Sequence, residues 1–277
     1  MRFPLRRLAP AAIFGVPEPR MKSRFFATVA LVAGLALGTS LPAETTGQVI
    51  SRARAFLGTE RALNAVSTIH FTGTLERAVK VPAPDDKTKQ VDQTIRVPVD
   101  IVFQKADRQR ITVKSPKIIE VTALDGYDGW RKRINAESPS QWQVDLLDPN
   151  QVKRLRANTW ENLFFFAGIE KTGGRVQADG DATVDGLACT KLSFIHADNI
   201  IFVRYFDKTT GRLVKTETED GSEIREEGEI IVDGVRFPRK VINRVPNGPT
   251  TTIVFDKVEL NAPVPAAEFA VPSFIPN

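Results

Sequence analysis

The sequence predicts an α+β fold: a curled antiparallel sheet forming an unclosed half β-barrel, with helices covering its concave face. Three observations predict it. From Ile69 onward, apolar residues recur mainly at every second position, the period of a half-buried strand. Asp-Gly pairs at 125–126, 128–129, 185–186, 220–221 and 233–234 supply residues that tolerate positive φ in tight hairpins, so neighbouring strands should run antiparallel. About ten such strands in one chain must curl or close, because a strongly twisted sheet of that size seldom stays flat.

The chain begins with a predicted export signal over residues 1–43. Phe25 to Leu37 is a short apolar run preceded by Lys22 and Arg24, and Leu41-Pro42-Ala43 ends it with a helix breaker and a small residue. The run is too short to span a bilayer, which takes about 20 residues. Met21 begins a well-proportioned signal, so residues 1–20 read as a mis-assigned start and 21–43 as the true signal. Cys189 is the only cysteine and lies far from this segment. The product expected is therefore residues 44–277, a single soluble domain in the periplasm, with no lipidated cysteine, no stable membrane span and a monomeric state.

Removing the signal changes the charge argument. The whole chain has 38 Lys+Arg against 33 Asp+Glu, a net charge of +5. Residues 1–43 hold six of the basic residues and one acid, Glu18, which leaves 32 of each sign in the rest. A basic surplus would point to nucleic acid, whose binding is dominated by phosphate neutralisation. Here the surplus leaves with the signal, so nucleic acid is excluded as a partner.

Within residues 44–277, Val49, Ala53, Phe56 and Leu57, then Ala62, Leu63 and Val66, recur at three and four, predicting two short helices punctuated by Gly58. Strands follow at Ile69–Leu75, Val97–Phe103 and Ile111–Val113, with Val79–Gln93 as a solvated loop or the tip of a long hairpin. Asp148 is a predicted N-cap with Pro149 at the first helical position, and the helical spacing continues to Gly168. A meander of strands then runs over 187–194, 200–206, 212–219, 223–232, 235–245 and 250–260, before a proline-rich tail.

Catalytic and metal chemistry find little support. His70 and His196 read as strand-borne or surface histidines, and Cys189 as a buried small hydrophobe. The stretch Asp179–Thr190 echoes a calcium loop but has Val184 where the sharp turn needs Gly, and Thr190 where a bidentate acid is needed. Glu226-Glu227 and Asp85-Asp86 read as solvated turn or edge charges. No metal, no cofactor and no enzymatic activity are predicted.

Aromatic placement is the distinctive feature. Trp160, Phe164, Phe165 and Phe166 crowd one short helix, which has a single face to bury, so some rings must complete a core or line a cavity. Leu163 shares that helix, and Trp130 and Trp142 flank it. Together with the inward strand residues Phe71, Val99, Ile101 and Phe103, these are the candidate lining of an apolar cavity.

The order of motifs resembles the periplasmic lipoprotein-carrier superfamily, the LolA- and LolB-like proteins and the divergent relatives called outer-membrane lipoprotein-sorting proteins. The matching stretches are Ala53-Phe56-Leu57-Gly58 with Ala62-Leu63 and then Ile69 to Gly73, Asp125 to Trp130, Val184 to Leu192, Tyr205-Phe206-Asp207 with Gly211, Val232 to Pro238, Val258 to Asn261 and Phe269 to Pro272. The resemblance implies an unclosed antiparallel barrel with helices over an apolar concave face. It also implies a role as a carrier of lipid or lipoprotein acyl chains. The alternatives are an envelope sensor or scaffold that binds a protein partner on the same fold, and a hydrolase.

Overall fold

The structure, a computed structural model, describes residues 44–273 apart from 84 and 87. The predicted export signal lies outside the described residues. Among them no helix is long and apolar enough to cross a membrane.

Two helices come first, as the apolar spacing predicts. α1 (Thr46–Leu57) starts at a capping box in which Thr45 and Gln48 satisfy each other's backbone N–H groups. α2 (Glu60–Ala65) is capped by Thr59. Gly58 separates them because nothing larger fits: a Cβ there would stand 2.6 Å from the Gly234 carbonyl oxygen.

Six strands follow as a meander: β1 (Thr68–Pro82), β2 (Gln90–Gln104), β3 (Arg108–Lys114), β4 (Ile118–Asp125), β5 (Asp128–Asn135) and β6 (Trp142–Leu146). α3 (Pro149–Leu163) comes next, with Asp148 as N-cap accepting from the backbone N–H groups of Asn150 and Gln151. A second meander is built from β7 (Arg175–Val184), β8 (Leu187–Ala197), β9 (Ile200–Asp207), β10 (Leu213–Thr218) and β11 (Glu223–Glu227). A short hairpin, β12 (Ile230–Val232) and β13 (Val235–Phe237), stands apart from the main sheet, and β14 (Lys240–Arg244) and β15 (Thr250–Leu260) return to it.

Thirteen strands form one antiparallel sheet in the order β6-β5-β4-β3-β2-β1-β15-β14-β11-β10-β9-β8-β7. The strands β14 and β15 join the two meanders edge to edge. The outer edges, β6 and β7, do not pair, so the barrel is open, and α3 is the covalent link between those two edges. The predicted class, an unclosed half-barrel with helices on its concave face, is the architecture observed.

Several local expectations need correction. Asp128-Gly129 is not a turn: it opens β5, and the β4–β5 hairpin turns on Gly126-Tyr127 alone. Gly129 instead faces α3, where a Cβ would stand 2.8 Å from Val152 Cγ2. The strand expected over 223–232 breaks at Gly228, which has φ +64, and the one expected over 235–245 breaks around Pro238, so the β12–β13 hairpin leaves the sheet. The helix expected to reach Gly168 stops at Leu163. The segment 79–93 is a hairpin tip, as one of its two readings held, but the paired strands extend to Pro82 and Gln90.

The core lies on the concave face. Directly paired residues share a face, so one row of alternate residues from each strand builds it. Phe71, Leu75, Val97, Val99, Ile101, Phe103, Ile111, Phe255 and Val258 form an apolar layer covered by Leu63 and Val66 of the α2 region, by Leu163 and Phe165, and by Val235 and Phe237. A second layer joins Val49 and Ala53 of α1 to Trp160, Phe166, Ile169, Leu192, Phe194 and Phe206. On the opposite, outer face the proline-rich tail docks, where the Phe269 carbonyl accepts a hydrogen bond of 2.8 Å from Trp130 Nε1.

Candidate functional site on the covered concave face

The triple Phe164-Phe165-Phe166 is where the two apolar layers meet. Once α3 ends, Phe165 (φ 50) and Phe166 (φ 71) both adopt the left-handed conformation, which costs a residue with a Cβ roughly 1–2 kcal/mol. This sends the rings to different layers. Phe165 packs 6.3 Å from Phe237 in the first, and Phe166 packs 5.2 Å from Phe206 and 6.0 Å from Phe194 in the second. Phe164 stacks on Trp160 at 5.8 Å, between the layers.

A buried arginine holds this turn. Arg54, on α1 and only 6% exposed, donates from Nη1 to the carbonyl oxygens of Phe164 at 2.8 Å and Phe165 at 2.9 Å. Both carbonyls lie just past the last turn of α3, and that of Phe164 also accepts from the Ala167 N–H at 3.1 Å. Its Nε and Nη2 bond both carboxylate oxygens of Glu60 at 2.7 and 2.6 Å. The Arg54 guanidinium in turn holds the Glu60 carboxyl below its ordinary range. One side chain therefore ties α1, the start of α2 and the end of α3 together.

The second layer also contains charge. His196 Nε2 lies 2.6 Å from Glu161 Oε1, and Arg204 pairs with the other oxygen of Glu161. All three side chains are at most 7% exposed. Aromatic faces enclose them: the Arg204 guanidinium sits 4.6 Å from the Phe194 centroid and 4.9 Å from that of Phe166, and the His196 ring meets Trp160 at 5.3 Å. The buried Glu161 carboxylate meets His196 of β8 and Arg204 of β9 and so ties α3 to both strands.

Of the predicted lining, the structure brings together Phe71, Val99, Ile101, Phe103, Leu163 and Phe165 in the first layer, Trp160 and Phe166 in the second, and Phe164 against both. It does not bring Trp130 and Trp142 to them. The β4–β5–β6 register puts both on the outer face, Trp130 under the C-terminal tail and Trp142 beneath Lys132, whose Nζ is 4.6 Å from its ring. Proximity along the chain to α3 was a misleading signal; strand parity separates them from the concave residues.

The cavities lie at the seam of the cover. One of about 440 Å³ opens between the α1–α2 corner and the β12–β13 hairpin, lined by Phe56, Leu57, Ile231 and Arg236 among others. A second of about 260 Å³ runs between α1 and the stretch from Glu226 to Pro238, and reaches the Phe166 ring. The second is below the roughly 300–1,000 Å³ usual for small-molecule sites. Rings of the protein itself fill much of the concave face, and both clefts border α1.

The remaining sequence candidates are elsewhere. His70 faces outward and bonds Asp100 at 2.6 Å. Cys189 is a buried free thiol on the outer face, beside Val184, Tyr205 and Val214, and burial pushes it up, away from the reactive thiolate. Among the described residues no three His, Cys, Asp or Glu side chains are gathered where they could hold a metal ion.

No protein-family model matches the chain, and no curated protein matches it. Solved structures do. A LolA superfamily protein from Nitrosomonas europaea superposes with a TM-score of 0.53 at 13% identity, covering 83% of this chain and 99% of that one. The fold is that of the LolA superfamily. A DUF1329 family protein from Desulfovibrio piger superposes with a TM-score of 0.50 at 10% identity, covering 81% of this chain and 96% of that one.

Proposed function

We propose that the protein is a periplasmic binding or carrier protein that takes the acyl chain of a lipid or lipoprotein into the concave face of its half-barrel, and that the arrangement described here is its closed form. The observation that carries this reading is the Arg54 clasp on the strained Phe164–Phe166 turn. The clasp resists opening only weakly. Hydrogen bonds to a charged group contribute about 1.5–3 kcal/mol each, and release of two left-handed residues returns about 2–4 kcal/mol. An acyl chain of about 16 carbons gains roughly 12 kcal/mol on leaving water. The gain from cargo therefore exceeds the loss of the clasp.

On this reading the rings of Phe165 and Phe166 occupy the cargo's place until α1 and the end of α3 part. No catalytic step is assigned, and the protein acts as a monomer. Native mass spectrometry of the protein purified from its host envelope fraction tests this. Added mass matching an acyl-bearing lipid is expected; a bare polypeptide mass that stays unchanged on adding lipid contradicts it.

A second reading, a module that binds an envelope protein, is favoured by one feature. β15 stops pairing with β1 at Arg77, and β3 stops pairing with β2 at Val99, so 78–82 and 90–94 project as a two-stranded ribbon. Val91 on it and Ile95 at its base are 42% and 40% exposed. Retention of a partner by the whole protein, lost when Val91→Asp and Ile95→Asp are introduced, would support this reading over cargo binding.

A further inference from the structure

The concave face carries one polar row that the fold leaves without partners. Leu75 of β1 pairs with Val97 and Ile253, Ile253 pairs with Val241, and all four belong to the first apolar layer. Two residues further toward the ribbon end, on the same face, the corresponding row is Ile95, Arg77, Thr251 and Asn243. Arg77, Thr251 and Asn243 thus lie side by side on three adjacent strands where the apolar layer ends. Among the described residues no hydrogen bond or ion pair engages any of their side chains, and Arg77 Nε and Asn243 Oδ1 are buried without a partner. Arg52, Arg110, Arg131 and Arg204 also bury an unpartnered Nε, but each has a carboxylate beside its guanidinium. Arg77 has none.

The neighbouring acids are committed or out of reach. Glu76 points outward to Arg96 at 2.6 Å, and Glu223 points outward to Arg225 and Arg244. Glu120, on the concave side of β4, pairs with Arg133. Glu226, exposed on β11, lies three strand spacings from Arg77, which is about 14 Å and beyond ion-pair reach. A guanidinium edge buried without an acceptor is costly, and an anion would supply the acceptor. Its planar fork matches a carboxylate or phosphate, while the Thr251 hydroxyl and the Asn243 amide, turned to present Nδ2, add neutral donors.

We infer that this row binds the anionic head, a carboxylate or phosphate, of an amphiphile whose hydrocarbon tail runs along Leu75, Val97, Ile253 and Val241 into the first layer, with Arg77 as its counter-ion. The inference rests on the acyl-chain reading above and names the class of cargo head that fits it. Arg77 repels an ammonium head and leaves a neutral alcohol with only its tail contacts.

Calorimetric titration of the full protein at pH 7.5 with decanoate, decanol and decylamine, each below its micelle or solubility limit, and with acetate as the head alone, tests it. The wild type should bind decanoate at least tenfold more tightly than decanol, and acetate at least a hundredfold more weakly than decanoate. Arg77→Gln should bring decanoate to the affinity of decanol while leaving decanol unchanged, and Arg96→Gln, on the outer face of the same hairpin, should preserve the preference. Decanol binding without a carboxylate preference, a preference that survives Arg77→Gln, or acetate binding as tightly as decanoate overturns the head-group inference and leaves the acyl-chain reading standing. Failure of all three ten-carbon probes to bind overturns both.

Discussion

The two halves of the concave face are built on different principles. Around β1, β2 and β15 the layer is apolar throughout, and its cover is Leu63, Phe165, Val235 and Phe237. Around β8 and β9 the layer wraps Glu161, His196 and Arg204 in aromatic rings. Apolar packing has no preferred partner, so the first half accepts any filling of the right volume. Buried charges have directional partners and a large penalty for losing them. The second half therefore fixes where α3 sits, while the first half is the part able to exchange a ring for a hydrocarbon chain.

The strongest way to break this contrast is Glu161→Ala. It leaves Arg204 buried without its partner and should cost about 3–5 kcal/mol, a fall in Tm of roughly 6–20 °C for a domain of this size. Pairing Glu161→Leu with Arg204→Met removes both charges and should recover much of that loss. Calorimetric melting checks both, and a double variant no more stable than Glu161→Ala would contradict the charged-half account.

A smaller effect distinguishes the outer side of the same half. Tyr205 is pushed up to about 12 by burial, with Glu217 accepting from its hydroxyl at 2.8 Å. The folded state thus prefers the neutral phenol. This stabilisation is complete below the unfolded value near pH 10 and is lost as pH rises from about 10 to about 12. Its size is on the order of 2 kcal/mol. Urea midpoints between pH 9 and pH 12 should fall further in the wild type than in Tyr205→Phe; parallel curves would refute the linkage.

The smallest effect belongs to the apolar half. Ile101→Val removes one methylene from a layer without polar dependence and should cost about 0.5–1.5 kcal/mol, with affinity for an apolar probe maintained. A loss comparable to that of Glu161→Ala would erase the distinction between the halves.

Sequence reading reached the fold through strands whose two faces differ. β15 runs over 250–260 as expected, and Asp233-Gly234 makes the expected tight turn with φ 51 and 77. The strands β4 to β7 were not foreseen, for a physical reason. Glu120, Arg131 and Arg133 lie on the inner side of β4 and β5 and pair there, while Trp130 and Ala123 lie on the outer side beneath the tail, so the usual alternation is inverted. β7 is an edge strand with a bulge at Ala178–Gly180, and little of its length needs burial.

The site was legible in part. The crowding of Phe164 to Phe166 pointed to the right turn, but their two destinations depend on backbone φ that no spacing rule supplies. Arg54 had no visible signal beyond a charge on the apolar side of α1, between Val49, Ala53 and Leu57. Glu226-Glu227 read as solvated charges, and both are exposed, on opposite faces of β11.

The central claim is that the filled interior opens when the clasp on Phe164 and Phe165 is released. Fluorescence titration with the neutral apolar probe N-phenyl-1-naphthylamine, comparing wild type with Arg54→Met, tests it most directly, with circular dichroism verifying that both are folded. The account predicts at least several-fold tighter probe binding by the variant, displaced by decanol. Equal binding by two folded proteins, or binding by neither, would contradict it.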